Sequence, residues 1–124
     1  MSRLDGKIAV VTGGSRGIRK AICLKLAEHG ANVSFAYATN KEKDDSTVKE
    51  LSNFNNDVSN ESEVKNLVNK IIGKYGKIDI LVNNAGITLV GTFNMVHHCY
   101  MNFIKNNCGK IINISSVVGL NRKI

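Results

Sequence analysis

The sequence predicts an α/β fold, a doubly wound parallel sheet of about five strands with helices on both faces, in one domain spanning residues 1–124. Three observations predict it. Short, strongly apolar runs such as Ile8-Ala9-Val10-Val11 and Ile78-Asp79-Ile80-Leu81-Val82 suit strands buried on both faces. Segments with apolar residues at steps of three and four stand between those runs. The strands lead into glycine-rich or polar turns, so strands and helices alternate as in successive βαβ units.

The elements follow in order. Ile8–Val11 is the first strand and ends in a glycine turn. From Gly17 to His29, Ile18, Ala21, Ile22, Leu24, Leu26 and Ala27 give a wide apolar helix face, which Gly30 can close. Asn32–Tyr37 reads as the second strand, Lys41–Leu51 as a polar helix and Phe54-Asn55-Asn56-Asp57-Val58 as a weak strand. Ser59 or Asn60 can cap a helix running through Val64, Leu67, Val68, Ile71 and Ile72, with Gly76 as its stop. Ile78–Val82 then runs into Asn83-Asn84-Ala85-Gly86. Leu89, Phe93, Val96, Tyr100, Phe103 and Ile104 mark a buried helix face, and Lys110–Ile114 is the last strand, followed by Ser115-Ser116. The chain has no proline, internal repeat or low-complexity tract.

Composition narrows the classes of function. No apolar run approaches the roughly 18 residues of a membrane span. The start, Met1-Ser2-Arg3-Leu4-Asp5-Gly6-Lys7, lacks the apolar stretch of a secretory leader, so the expected compartment is the cytoplasm by default, with the mitochondrion or another organelle left open. The net charge of +7 is spread over scattered lysines with few aromatics among them. Phosphates of a cofactor or carrier are the expected partners of that charge, not nucleic acid or a membrane. Cys23, Cys99 and Cys108 form no C-x-x-C pair and read as buried or semi-buried thiols. His97-His98 has no supporting carboxylate or cysteine pattern apart from the adjacent Cys99, so it reads as helix surface and no metal is expected. Ser116 lacks a base and an orienting partner for a hydrolase triad.

The chemistry concentrates in three places. Thr12-Gly13-Gly14-Ser15-Arg16-Gly17-Ile18 joins a strand to a helix. Such a turn aims backbone N–H groups and the positive end of the helix dipole at one point, where a phosphate binds. Gly13 and Gly17 allow close backbone approach, and Ser15 and Arg16 can add a hydroxyl and a guanidinium. Asn83-Asn84-Ala85-Gly86 lies at the carboxyl end of the next strong strand, the edge that forms the ligand crevice of a doubly wound sheet. Ile112-Asn113-Ile114-Ser115-Ser116 again brings polar groups to a strand's carboxyl end.

Together, Thr12-Gly13-x-x-x-Gly17, Asn83-Asn84-Ala85-Gly86 and Ile114-Ser115-Ser116 resemble the short-chain dehydrogenase/reductase family. Gly14–Ile18, Asp79–Thr88 and Ser116-Val117-Val118-Gly119 are most similar to its 3-oxoacyl-[acyl-carrier-protein] reductases, to which carbonyl reductase type 4 is a near relation. The resemblance covers essentially the whole chain and about the first half of a typical member. It implies a Rossmann-type, incomplete dinucleotide-binding domain and an NADPH-dependent oxidoreductase of fatty-acid biosynthesis, reducing a ketone to an alcohol by hydride transfer. It places the cofactor pyrophosphate on Thr12, Gly13, Gly17 and Ile18, the adenine beside Asp57 and Val58, and the adenosine and ribose beside Asn83, Ala85 and Gly86. Ser15 and Arg16 stand in the turn, and Tyr37-Ala38-Thr39-Asn40 lacks the carboxylate that would bind a ribose 2′-OH, which together imply NADPH over NADH. Ser116 is the implied catalytic serine. An acyl-carrier-protein or CoA thioester, and a homo- or hetero-oligomer, are the implied partners.

The sequence also departs from the family pattern. The family's Tyr-x-x-x-Lys follows the serine by about a dozen residues, and Ile124 comes first. Neither Tyr75, followed at that spacing by Asp79, nor Tyr100, followed by Ile104, replaces it. Ile87-Thr88 runs straight into Leu89-Val90-Gly91-Thr92-Phe93, so the family's substrate-side loop is missing and Thr88 stands in place of its helix asparagine. Arg19 replaces a glycine that allows helix, strand and cofactor to approach, and is expected to weaken NADPH binding unless its guanidinium turns to solvent or to the pyrophosphate. The expectation is a chain truncated before the tyrosine and inactive alone. The alternatives are a non-catalytic nucleotide- or partner-binding module, or a splice or gene-model fragment.

Overall fold

A computed structural model of the chain describes residues 3–13, 16–37, 52–55, 60–83 and 89–114. Among these, five strands form one parallel sheet: β1 (Ile8–Thr12), β2 (Asn32–Tyr37), β3 (Ser52–Asn55), β4 (Ile80–Asn83) and β5 (Lys110–Asn113). Their order across the sheet is β3-β2-β1-β4-β5. The chain therefore winds outward from β1 in one direction and then returns to lay β4 on its other side. That reversal opens a crevice at the carboxyl ends of β1 and β4.

Among the described residues, three helices cover the sheet: α1 (Arg16–Glu28), α2 (Glu61–Tyr75) and α3 (Leu89–Asn106). Alternation along β1 sends side chains to opposite faces. Ala9 and Val11 join Val33, Phe35, Ile80 and Val82 under α1, which contributes buried Cys23 and half-buried Ile22, Leu26 and Ala27. Ile8, Val10 and Leu81 face α2 and α3, which contribute Val64, Leu67, Val68, Ile71, Met95, Cys99 and Phe103. β1 is consequently buried at every position, as its unbroken apolar run requires.

α2 starts and stops where its local chemistry dictates. Asn60 takes an extended conformation and its side-chain oxygen accepts the Glu63 N–H at 3.2 Å. Glu61 and Glu63 oppose the positive end of the dipole, and Lys74 the negative end. Gly76 adopts the left-handed conformation at φ 87° and its N–H bonds the Ile72 carbonyl.

The two other helices bury only part of the faces that the apolar spacing predicts. In α1, Ile18 is 55% exposed, and Ala21 and Leu24 are also exposed, because Cys23, Ile22, Leu26 and Ala27 occupy the sheet side. In α3, Phe93 is 65% exposed and Tyr100 and Ile104 are more than half exposed. The expected Phe103 is buried and Val96 packs half-buried on the core, but the rest of the buried stripe is Met95 and Cys99, flanked by Asn94 and Asn102. An asparagine there is tolerated because Asn102 Oδ1 accepts the Ile78 N–H at 2.9 Å, so its carbonyl oxygen is hydrogen-bonded.

Strand limits shift as well. β3 spans Ser52–Asn55, earlier than the expected 54–58, of which 56–58 lie outside the described residues, as does the expected helix at 41–51. β4 begins at Ile80, two residues late, although Asp79 already bonds both neighbours, its N–H donating to the Ile8 carbonyl at 2.8 Å and its carbonyl accepting the Lys110 N–H at 2.9 Å. The Asp79 carboxylate accepts the Ile8 N–H at 2.8 Å and meets Lys77 at 3.2 Å. β5 lies at an edge, and all four of its residues are exposed. Cys108, expected to be at least half-buried, is exposed, while Cys23 and Cys99 are buried.

Candidate functional site

The carboxyl ends of β1, β4 and β5 carry a row of polar side chains. Register sets Thr12 beside Asn83 and Asn83 beside Asn113. The Thr12 hydroxyl donates to Asn83 Oδ1 at 3.2 Å, and Asn83 Nδ2 donates to Asn113 Oδ1 at 3.1 Å. Ile114 N–H bonds the Asn83 carbonyl at 2.8 Å, which ties the end of β5 to β4. Thr12 and Asn83 are both buried. Such a chain of satisfied polar groups fixes the lip of the crevice without leaving an orphaned donor at Asn83.

Directly after Thr12, Gly13 takes φ +68°, a conformation that side chains with a Cβ rarely adopt. It turns the backbone out of the sheet and toward α1, which opens at Arg16 and carries no acidic residue in its first turn. Gly17 is exposed in that turn, and a Cβ added there would meet nothing within 4 Å. Gly17 at the start of α1 therefore faces open space at the positive end of the helix dipole, which leaves room for an anion.

Arg19 does not turn to solvent. It is 2% exposed and its guanidinium carbon lies 5.4 Å from the centroid of the Phe35 ring on β2. The side chain fills the space between α1 and the sheet, the contact that glycine would keep short.

Of the residues singled out in the sequence, Thr12, Gly13, Arg16, Gly17, Ile18 and Asn83 are thus brought to one end of the sheet. Ser15, Asp57, Val58, Ala85, Gly86 and Ser116 lie outside the described residues. Asn113 is a site residue that the sequence signalled only as part of a polar strand end. A Tyr-x-x-x-Lys spacing does occur, at Tyr37 and Lys41, but it precedes Ser116 in the chain, and Tyr37 closes β2 opposite Asn55 of β3.

Comparison with known proteins gives the same picture. Residues 7–124 match the family model described as short chain dehydrogenase. The 3-oxoacyl-[acyl-carrier-protein] reductase FabG of Staphylococcus aureus (strain Mu50) is 37% identical over 140 residues, covering 91% of this chain and 57% of the relative. That of Thermotoga maritima is 37% identical over 145 residues, covering 95% of this chain and 58% of the relative. Both alignments are longer than the 124-residue chain, so the relatives carry residues within the aligned span that this chain lacks. Among solved structures, NAD+-bound xylitol dehydrogenase superposes with a TM-score of 0.87 at 27% identity, covering 98% of this chain and 57% of that one. A short-chain type dehydrogenase/reductase from Mycobacterium marinum gives 0.85 at 26% identity, covering 98% and 60%. The chain spans less than two thirds of the length of these proteins.

Proposed function

The chain belongs to the short chain dehydrogenase family, and on that premise we propose that it forms the NADP(H)-binding half of a 3-oxoacyl-[acyl-carrier-protein] reductase-like oxidoreductase. The family implies a nicotinamide cofactor. The observation that carries the reading is the row Thr12–Asn83–Asn113 at the crevice where the strand order reverses.

The residues present fit a dinucleotide. Left-handed Gly13 and the open space at Gly17 leave room for a pyrophosphate against the first turn of α1. Thr12, Gly13, Gly17 and Ile18 would hold it, and Ser15 and Arg16 would supply polar and cationic contacts. Arg16 is the proposed partner of a 2′-phosphate, since Tyr37-Ala38-Thr39-Asn40 offers no carboxylate to a ribose hydroxyl. Asp57 and Val58 would border the adenine, and Asn83, Ala85 and Gly86 the adenosine side. When bound, the cofactor would supply hydride to a ketone carbon, and Ser116 would hydrogen-bond the ketone oxygen. An acyl-carrier-protein or CoA thioester is the proposed substrate class of the whole reductase.

Proton delivery is the step these residues do not provide. No Tyr-x-x-x-Lys follows Ser116 within the 124 residues, and a general acid is typically worth about 10²–10⁴-fold. These 124 residues are therefore read as binding NADP(H) without themselves supplying the proton. The exposed Phe93, Tyr100, Met101 and Ile104 on α3 favour a second role alongside it, that of pairing with another subunit.

Titration of the 124-residue chain with NADPH and NADH, followed by nicotinamide fluorescence, tests the binding. NADPH should bind about tenfold more tightly, a difference of about 1.4 kcal/mol, and Arg16→Ala should remove the preference. Absence of saturable binding to either nucleotide would overturn the assignment of the crevice. Turnover of a 3-oxoacyl thioester above the no-enzyme rate would overturn the claim that the chain lacks a proton source.

A further inference from the structure

Away from the crevice, α2 and α3 bring three metal-ligand side chains together. We propose that Glu61, His97 and His98 bind a divalent metal ion of the Zn²⁺ class, which ties the start of α2 to the middle of α3. The ligand atoms of the three residues all lie within 4.8 Å of one another. The sequence shows the His97-His98 pair but not the carboxylate that completes it, since Glu61 comes from a different helix.

The geometry of the pair at its centre suits an ion better than a direct bond. His98 Nε2 is 3.5 Å from Glu61 Oε1. A charge-assisted N–H···O bond is shorter, about 2.7–2.9 Å. Two ligands about 2.0–2.1 Å from a tetrahedral Zn²⁺ stand about 3.4 Å apart. His98 Nε2 is also buried and makes no hydrogen bond among the described residues. A buried nitrogen of this kind incurs a desolvation cost that a bound ion would offset.

Each ligand is held by its surroundings. Glu61 is the first residue after the Asn60 cap, so its backbone is fixed, while its side chain remains 69% exposed and gives an ion a path from solvent. The His97 ring stacks on Phe93 at 5.9 Å and 12°. It stands edge-on to His98 at 5.0 Å and 82°, so the two rings can converge on one ion without overlapping. Two imidazoles and one carboxylate select borderline transition ions over Mg²⁺ and Ca²⁺, and leave a fourth position for water. Lys65 and Lys105 line the adjoining groove with His98.

The test uses the full 124-residue chain, stripped of metal with a chelator. Zn²⁺ is titrated calorimetrically, and Co²⁺ is followed by its visible absorption. One ion per chain is expected, with Co²⁺ bands of tetrahedral or five-coordinate intensity. Glu61→Gln, His97→Gln and His98→Gln should each weaken binding by about tenfold or more, whereas His29→Gln and Cys108→Ser should leave it unchanged. Glu61 and His97 are exposed, so their variants test the site without disturbing the core. Binding that survives in the His97 and His98 variants, binding that disappears with Cys108, or no saturation by on the order of 1 mM Zn²⁺ would each overturn the site.

Discussion

Arg19 shows how one long side chain can occupy the contact between a helix and the sheet. Its guanidinium is buried over Phe35 in the space between α1 and β2. Overpacking at such a contact costs about 1–3 kcal/mol, while the cation–π contact returns part of that. Arg19→Gly should therefore tighten NADPH binding by about tenfold in calorimetry. It should also lower folding stability in urea by about 1 kcal/mol, because glycine is a poor helix residue. An unchanged affinity would show that Arg19 does not crowd the crevice. The cysteines separate by burial in the same way. Desolvation pushes the Cys99 thiol up from its ordinary 9.0 to about 12. Below pH 9 both the folded and unfolded chains keep that proton, so the group has no effect on stability. Between pH 9 and 12 the unfolded thiol ionises and the folded one does not, so stability falls as pH rises. A disulfide-exchange reagent near neutral pH should label Cys108 alone in the native chain and all three cysteines in denaturant.

At the scale of elements, α2 was the most legible, because its signals are local. Asn60, the two glutamates of the first turn and Gly76 lie next to the helix they define. Asn60→Ala should cost about 1 kcal/mol, read as a lower urea midpoint with an unchanged slope. α1 and α3 were legible as helices but not in their orientation. Spacing counts apolar residues, and it gave weight to Phe93, Tyr100 and Ile104. It could not know that Asn102 would be drawn inward by the unpaired N–H of Ile78. The strands at the crevice were legible because their motifs sit at their carboxyl ends. Thr12 and Asn83 fall in register because β1 and β4 are parallel neighbours, a pairing that no local spacing contains.

Across the molecule, the described residues leave apolar side chains exposed on α3 and on β5. α3 exposes Phe93, Tyr100, Met101 and Ile104, and the edge strand β5 exposes Ile111 and Ile112. Surfaces of this kind associate, and an open strand edge adds unpaired backbone groups. Sedimentation velocity should show concentration-dependent association of the chain. Tyr100→Lys with Ile104→Lys should shift it toward monomer while leaving the circular dichroism unchanged, because both side chains are more than half exposed. A monomer at all concentrations in the unmodified chain would show that this face needs no partner.

By itself the sequence determined the alternation of strands and helices, the Gly76 stop of α2 and the motifs at the strand ends. Each of these is encoded by residues close together in the chain, through burial period, hydrogen-bonding side chains or glycine backbone freedom. Tertiary structure alone decided which helix faces turn inward, where Arg19 goes, and that Glu61 meets His98 across two helices. Those outcomes depend on what stands opposite each side chain, and the parallel order β3-β2-β1-β4-β5 sets that through contacts between residues far apart in sequence.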